Sequence, residues 1–386
     1  MTINLLCIDA FEDYSLINRE LLRELGVEIH VLCTTDREEF NGYYTKIKKF
    51  DFDELYSAAK KVNPDKIVCY SEELFYDVAR VRDKLNIQGM NEDTARLFSN
   101  KFLMYMKLDG EVRVPKTLSL FTNCTYFDVK SYLGMGDVFI KPISCSGSFE
   151  TYHIKNEDCY KRFLSNKKLS IELYIAQNYI YGDLYHVEQV VQKGDIIFQS
   201  ARMYSAPNNS MLESDRLLYS LNVSDPVIKS ELLSVSTRVK EKIGVNNAIM
   251  HTEFFREVVS GDLIFLETNI RSPGIGLNRM YKEILGISFE TLMCLLVCQI
   301  KIPKLVPSNR IFACGYYPLK KGVVKKINKP RVDIDCEITY FAKEGDCNQE
   351  ALSMSKAAMV VCSDLSRYKV KKTMESLYKH QLMEVI

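Results

Sequence analysis

Two apolar strand patterns separated by a polar turn, between His251 and Gly276, constrain the fold of this chain more than any other segment. The sequence runs HTEFF, then a turn, then LIFLETNIRSPG. Alternate residues of a strand share one face, so Glu267, Asn269 and Arg271 are predicted to point the same way. The pattern therefore predicts a hairpin that carries two carboxylates, with Glu253 as the second, beside an amide and a guanidinium.

The side chains on this predicted face suit a hard divalent cation. Glu253, Glu267 and Asn269 offer oxygen ligands, which magnesium and manganese prefer. Arg271 beside them indicates an anionic substrate or intermediate. The alternative is a hairpin with a solvated polar face, and the rest of the chain has to decide between the two.

The composition describes an ordinary globular protein of two or three domains. The chain has 386 residues, of which 47% are hydrophobic and 26% charged. Because 51 basic residues nearly balance 50 acidic ones, no global field attracts nucleic acid or an acidic membrane, and neither is expected as a partner. The apolar run at the start is too short for a signal peptide.

The cysteines indicate a reduced, cytoplasmic chain. All 12 are scattered, and no Cys-x-x-Cys motif occurs. Cys294 and Cys298 lie four residues apart in an apolar helical pattern, which favours a place in the core over a role as metal ligands.

Strand and helix patterns alternate through the first ninety residues, which predicts a small parallel sheet with helices on both faces. The turn after the first strand, DAFEDYS, has three acids and no glycine. A pyrophosphate would be repelled there, so a glycine-rich dinucleotide fold is not expected.

Phosphate-binding features follow Asn91. The segment TARLFSNKFLMYMKL is predicted to form one helix that carries Lys101 early, and an apolar strand delivers Lys141. A loop of small residues, Ser144–Cys145–Ser146–Gly147–Ser148, comes next. Small residues let backbone amides approach phosphate oxygens, and the lysines supply positive charge.

In this order of motifs the chain resembles the ATP-grasp superfamily, in particular its carboxylate–amine ligases of the amino-acid ligase and carnosine-synthase-like type. The strongest motif is LETNIRSPG, which matches the acid-x-Asn-x-Arg strand end of the family. The resemblance implies an ATP-grasp fold, in which α+β subdomains enclose ATP. Along the chain this domain follows an N-terminal parallel α/β domain and precedes a small C-terminal α+β region. The implied boundaries are 1–92, then 93–305 with lobes 93–180 and 181–305, then 306–386.

The resemblance also implies roles for individual residues. Those expected to bind ATP are Lys101, Lys141, Ser144, Ser146, Gly147, Ser148, Gln177, Asn178, Tyr179, Ile180 and Asp183. Those expected to bind magnesium or manganese, as two ions, are Glu253, Glu267 and Asn269. Those expected to be catalytic are Lys141 and Arg271, with Arg271 steadying the acyl phosphate and the tetrahedral intermediate.

Two positions depart from the family pattern. The linker that meets adenine usually begins with an acid, where this chain has Gln177. The ribose-binding acid falls at Leu184, so Asp183, one position away, is the candidate for that role.

The implied function is an ADP-forming ligase that joins a carboxylate donor to an amine acceptor, such as an amino acid, a peptide or a carrier-bound acyl group. An acyl or peptidyl carrier protein and a homodimer are left open as partners. The alternatives are an ATP-grasp carboxylase, a purine-pathway ligase, or a catalytically weak nucleotide-binding sensor.

Other polar residues receive weaker assignments. His186 and Glu188 alternate on one strand, where a solvated cross-strand pair is favoured over substrate contact. His153 and His251 are interpreted as structural. The hypothesis for substrate selection falls on a long loop with Tyr204, Asn208, Asn209 and Arg216, and a solvated basic face is favoured over carrier docking for Lys320, Lys321, Lys325 and Lys326.

Overall fold

The computed structural model describes residues 2–145, 147, 149–207, 216–274, 276–348 and 355–386. Ser146, Ser148, Asn208 and Asn209 lie outside this part of the chain. The strands are β1 Ile3–Ile8, β2 Val27–Cys33, β3 Tyr44–Lys46, β4 Lys66–Cys69, β5 Thr117–Ser119, β6 Val138–Pro142, β7 Tyr152–Ile154, β8 Tyr174–Asn178, β9 Gly182–Gln192, β10 Asp195–Tyr204, β11 Leu218–Asn222, β12 Ala248–Glu257, β13 Leu263–Asn269, β14 Ile311–Pro318, β15 Gly322–Ile327, β16 Asp335–Tyr340, β17 Cys347–Asn348, β18 Lys356–Asp364 and β19 Met383–Val385.

The helices follow the amphipathic patterns of the sequence. They are α1 Arg19–Glu24, α2 Phe52–Val62, α3 Phe75–Leu85, α4 Glu92–Ser99, α5 Lys101–Leu108, α6 Tyr126–Leu133, α7 Glu157–Asn166, α8 Pro226–Ile243, α9 Leu277–Leu285, α10 Phe289–Val297 and α11 Arg367–Lys379. Within the described residues, no helix has both the length and the apolar character that a membrane span requires.

The N-terminal sheet has the order β3-β2-β1-β4 with parallel pairing throughout, as predicted. The acid that ends the first strand pattern is used to build the following turn. Asp9 is buried and accepts hydrogen bonds from the backbone N–H groups of Phe11 and Asp13 and from the hydroxyl of Ser71. The carboxylate of Asp9 is therefore hydrogen-bonded within this region, and the turn has no glycine amides that could bind a pyrophosphate.

A small antiparallel sheet, β5-β8-β6-β7, forms a separate lobe with α6 and α7. Its core is the cluster around Val138, Ile140 and Phe163. The strand β6 crosses the middle of this lobe and carries Lys141. We call this sheet and its two helices, residues 117–178, the small lobe.

The largest sheet has eight strands in the order β13-β12-β9-β10-β11-β14-β18-β16. The predicted hairpin is formed by β12 and β13 at one end of this sheet, with Glu253 directly opposite Glu267 and His251 opposite Asn269. β14, β16 and β18, beyond residue 305, continue the same sheet. The third chain segment is thus part of the second lobe's sheet.

One predicted helix is divided into two. The pattern around Lys101 suggests a continuous helix, but Asn100 adopts an extended conformation between α4 and α5. Its side-chain oxygen accepts a hydrogen bond from the N–H of Leu103, which caps the new helix. Lys101 consequently occupies the first position of α5.

The expectation that all cysteines are reduced is wrong at one pair. Cys336 and Cys362 lie opposite each other on β16 and β18 and form a disulfide in the structure. Cys294 is buried in the core, as predicted, and its sulfur lies 3.0 Å from the hydroxyl of Tyr70.

Candidate active site

The two hairpin carboxylates face each other across β12 and β13. Glu253 and Asn269 are each 4% exposed, whereas Glu267 is partly exposed at the cleft. Like charges directly opposite on neighbouring strands are destabilising, so this arrangement calls for a cation between or beside them. The predicted metal ligands are therefore brought together, and their oxygen donors suit a hard divalent ion.

Lys101 provides one compensating charge. Its Nζ lies 3.5 Å from Oε2 of Glu267. Burial alone would raise the pKa of Glu267, but Lys101 and Lys141 hold it below the ordinary value. Glu267 is thus kept ionised and ready to bind a cation.

Lys101 also connects helix α5 to the loop of small residues. Its Nζ donates a hydrogen bond to the carbonyl oxygen of Cys145 at 2.5 Å. Lys101, Ser144 and Cys145 line the same cavity as Glu267 and Asn269. The loop therefore begins beside the predicted metal ligands, which is the place that phosphate binding requires.

Lys141 is buried on β6 and donates a hydrogen bond to the hydroxyl of Tyr105 at 2.8 Å. Burial, reinforced by repulsion from Lys101, lowers the pKa of Lys141 to about 7. Tyr105 in turn donates to the carbonyl of Leu266 on β13 at 2.6 Å. A bound anion would restore the full positive charge of this lysine.

Tyr105 was not singled out from the sequence. The available signal is its spacing, since it lies four residues after Lys101 on one helix and residues so spaced share a face. Its hydroxyl connects the small lobe, through Lys141, to the hairpin.

The predicted adenine linker is the end of β8 and the residues after it. Gln177 is buried and donates to the hydroxyl of Thr117, and Asn178 donates to the carbonyl of Leu133. These side chains hold the small lobe together, so the uncharged Gln177 has a structural partner at this position. The adenine contacts of the linker stay a prediction.

Two aromatic side chains stack where the linker leaves β8. The ring of Tyr179 lies 3.9 Å from that of His153, and the two planes are nearly parallel. Ile180 is partly buried beside them. His153 also pairs with Asp137, so its structural interpretation fits this packing.

The ribose-binding position differs at Leu184, which is 1% exposed and packs in the core. Asp183 is exposed one residue earlier and lies opposite Arg256. The residue before it is Gly182, and only glycine fits there because a Cβ would lie 2.1 Å from the carbonyl oxygen of Arg256. The role of Asp183 in binding ribose remains a prediction.

Arg271 is held by the N-terminal domain. Its Nε donates to Oε2 of Glu72 at 2.7 Å, and its Nη1 donates to the carbonyl of Ser272 at 3.0 Å. Burial alone would lower the pKa of Arg271, but Glu72 raises it. Sequence reasoning missed Glu72, because a contact between residues 199 apart leaves no local pattern.

A cavity of about 440 Å³ lies between the hairpin, the start of α5 and the N-terminal domain. Lys101, Glu267 and Asn269 line one part of it, and Glu72 and Tyr76 of the N-terminal domain line another. The space is therefore bounded on one side by predicted ATP-binding and metal-binding residues and on the other by the N-terminal domain.

The prediction of a solvated pair at His186 and Glu188 is wrong. Both side chains are fully buried, and Nδ1 of His186 lies 2.5 Å from Oε1 of Glu188. Nδ1 of His251 lies 2.9 Å from the same oxygen. The antiparallel pairing of β9 with β12 places His251 opposite Glu188. Neither strand's own sequence pattern predicts this pairing.

His251 bridges this buried pair and the hairpin carboxylate. Its Nε2 lies 3.4 Å from Oε1 of Glu253. Burial alone would lower the pKa of His251, but its hydrogen bonds to Glu188 and Glu253 raise it to about 9. The imidazole is therefore protonated at neutral pH and donates to both carboxylates.

The proposed substrate-selection loop is only partly described. Tyr204 ends β10, is buried, and stacks on His186 with ring centroids 4.3 Å apart, so it belongs to the sheet. Arg216 donates to the hydroxyl of Tyr378 on the C-terminal helix. The basic residues Lys325 and Lys326 lie on β15 in the separate sheet β17-β15-β19.

These features define the class of protein: the chain has the ATP-grasp fold, as predicted. It is similar to L-amino acid ligases, which agrees with the sequence-based resemblance to carboxylate–amine ligases. No family model matches the chain.

Particular relatives support this description. The chain is 26% identical over 315 residues, 76% of its length and 74% of the relative's, to the L-arginine-specific L-amino acid ligase of Bacillus subtilis. The L-amino acid ligase structure from Bacillus licheniformis matches with a TM-score of 0.75 and 14% identity, covering 100% of this chain and 98% of that one. The biotin carboxylase domain of a 2-oxoglutarate carboxylase from Hydrogenobacter thermophilus, solved with MgADP, matches with a TM-score of 0.74 and 13% identity, covering 100% and 91%.

Proposed function

We propose that this chain is an ATP-dependent, ADP-forming ligase that activates a carboxylate as an acyl phosphate and joins it to an amine. The observation that carries the proposal is the pairing of Glu253 with Glu267 beside Asn269, with Lys101 against Glu267. Arg271 is bonded to Glu72, which lines the same cavity as Lys101, Glu267 and Asn269. A protein that only binds a nucleotide does not need Arg271 beside a metal site, whereas a ligase needs such a cation to hold its anionic intermediate.

The electrostatics of the cleft match this reaction. A carboxylate and a triphosphate repel each other, so their approach requires positive charge from both sides. Lys101 and Lys141 provide it from α5 and the small lobe. Divalent ions held by Glu253, Glu267 and Asn269 would neutralise the remaining phosphate charge when bound.

Arg271 is suited to hold the oxygens of the acyl phosphate and of the tetrahedral intermediate. Its planar guanidinium always carries charge and offers several donors in a fixed geometry. Glu72 accepts from Nε and the carbonyl of Ser272 accepts from Nη1, which orients the plane of the guanidinium and leaves Nη2 for a substrate. Catalysis then depends mainly on positioning and on donors arranged before the reaction.

An amino acid is the proposed carboxylate donor, because the relative that aligns with three quarters of this chain acts as an L-arginine-specific L-amino acid ligase. The amine acceptor would be a second amino acid or a peptide. A cytoplasmic location belongs to the proposal, and an acyl or peptidyl carrier protein and a second copy of this chain are its candidate partners.

The test is ADP release with hydroxylamine trapping across a panel of amino acids, dipeptides and acyl carriers, with magnesium present. Hydroxamate formed from one class of acid identifies the donor, and the proposal expects it from amino acids. ADP formation that depends on bicarbonate would favour a carboxylase instead. Folded, magnesium-loaded protein that releases no ADP with any candidate would support the sensor alternative.

A further inference from the structure

Behind Glu253 a row of polar side chains crosses one face of the large sheet. It continues through His251 on β12, Glu188 and His186 on β9, and Ser220 on β11. Nε2 of His186 lies 2.8 Å from the hydroxyl of Ser220. We call these five residues the buried row.

The carboxylate of Glu188 and both imidazoles of the buried row are each held from more than one side. Glu188 contacts both histidines through Oε1, and its Oε2 accepts a hydrogen bond from the hydroxyl of Tyr281 at 2.5 Å. At the Ser220 end of the buried row, Nε of Arg202 donates a hydrogen bond to the hydroxyl of Ser220 at 2.9 Å. None of these side chains is in open contact with solvent.

Stability alone is a weak reason to bury this row. Removing ionised groups from water costs more than their attraction usually returns, and apolar residues of similar size often serve a core as well or better. A fully bonded polar network instead fixes the orientation of its members. The member of this network that lies opposite Glu267, a residue lining the cavity, is Glu253.

We infer that Glu188 and His251 are positioning residues, which fix the carboxylate of Glu253 in the orientation that a divalent cation requires. Glu188 holds Nδ1 of His251, and this directs Nε2 of the same ring toward Glu253. The inference rests on the proposed metal role of Glu253. Outer partners of metal ligands commonly act in this way.

The buried row is not itself arranged as a metal site. One ligand atom from each of His186, Glu188 and His251 falls within 4.8 Å of the others. Those atoms, however, already satisfy one another through hydrogen bonds of 2.5 and 2.9 Å, and Tyr281 takes the second oxygen of Glu188. An ion at this point would have to displace hydrogen bonds that are fully made.

The test measures Mn²⁺ affinity by electron paramagnetic resonance in the presence of ADP, so that no turnover is needed. Glu188→Gln and His251→Leu should each weaken Mn²⁺ binding by roughly 10- to 100-fold. His251→Gln should recover part of this loss, because its amide can still donate toward Glu253. A merely structural role for His251 would not produce such a recovery.

Thr252→Val is the matched control. Thr252 lies between His251 and Glu253 on β12 but points to the other face, where its hydroxyl contacts that of Thr268 at 2.8 Å. It is as buried as Glu188. Its replacement should leave Mn²⁺ affinity unchanged even if it lowers the melting temperature.

Folded Glu188→Gln and His251→Leu proteins that bind Mn²⁺ as tightly as the unaltered chain would overturn the inference. If either variant fails to fold, Tyr281→Phe decides, because it removes only one donor from Glu188: weaker Mn²⁺ binding supports the inference, and unchanged binding overturns it.

Glu253→Gln separates this inference from the proposed function. If that variant loses Mn²⁺ while Glu188→Gln does not, only the positioning role is wrong. If Glu253→Gln binds Mn²⁺ normally, the metal site and the inference fall together.

Discussion

The two sides of the cleft are built on different principles. The hairpin β12–β13 carries acids whose positions follow from strand register, with Glu253 opposite Glu267. The opposing side, made by α5 and the small lobe, carries Lys101 and Lys141, which reach the cleft from separate elements. Acids are thus fixed by local pairing, whereas the lysines are fixed by tertiary packing.

The comparison shows how the protein keeps opposite charges near one another without cancelling them. Lys101 lies 3.5 Å from Glu267, but Lys141 bonds to the neutral hydroxyl of Tyr105 and loses much of its charge by burial. The hairpin carboxylates can therefore bind a cation, and the two lysines can still bind an anion. The following predictions test each side, from the largest expected effect to the smallest.

Arg271→Ala should give the largest loss. If this side chain contacts the transition state, a loss of about 3–4 kcal/mol lowers the rate roughly 100- to 1000-fold. The protein should still fold and bind ATP. Steady-state ADP release, with ATP affinity measured separately, checks this, and normal turnover would sink the assignment.

Glu253→Gln should abolish the stabilisation that magnesium gives to the hairpin. For the unaltered chain, Mg²⁺ at 100 times its dissociation constant adds about 2.7 kcal/mol to the free energy of unfolding. Chelation should reverse the effect. Thermal melts with and without Mg²⁺ would contradict the acid-side account if both proteins respond alike.

Lys141 should make ATP affinity depend on pH. With a pKa of about 7 in the free protein, it loses its proton as pH rises through 7, yet phosphate binding favours the charged form. ATP affinity should therefore fall between pH 7 and 9, by up to about tenfold per pH unit. The Lys141→Arg variant, which keeps its charge, should show a flatter profile by calorimetry.

The same pKa has a consequence for the stability of the free protein. Lys141 has a lower pKa folded than unfolded, so unfolding takes up a proton between about pH 7 and 10.4. Its contribution to the free energy of unfolding should consequently rise with pH across this window. Denaturation of Lys141→Met, which cannot titrate there, should lack this part of the pH dependence.

Tyr105→Phe should have the smallest effect. It removes the hydroxyl that joins Lys141 to the carbonyl of Leu266. A buried hydrogen bond contributes about 1 kcal/mol, so unfolding should become easier by that order, with a few-fold change in ATP affinity. A free energy of unfolding equal to that of the unaltered chain would argue that this connection is unimportant.

The sequence predicts the hairpin side of the site better than the lysine side for a physical reason. A strand has a period of two, so Glu267 and Asn269 share a face whatever the rest of the fold does. Arg271, predicted to lie on the same face, follows the end of β13 and is placed by its contact with Glu72. The N-terminal parallel sheet was predictable from alternating patterns in the same way. Contacts such as Glu72 with Arg271 depend on how distant domains pack, and no local pattern encodes them.

The buried row illustrates the same limit. His186 and Glu188 alternate like residues on a solvated strand face, and only the pairing of β9 with β12 puts them inside the protein. The apolar spacing also fails to predict the break at Asn100, because it continues across the residue whose extended backbone ends α4 and whose side chain caps α5.

The central claim is that this cleft transfers the γ-phosphate of ATP to a carboxylate. It is tested most directly with an amino-acid donor, identified by hydroxamate trapping, whose carboxylate is labelled with ¹⁸O. Acyl phosphate formation predicts ¹⁸O in the released phosphate, detected by mass spectrometry, together with ADP. Product formed with unlabelled phosphate, or with AMP and pyrophosphate, would contradict the account.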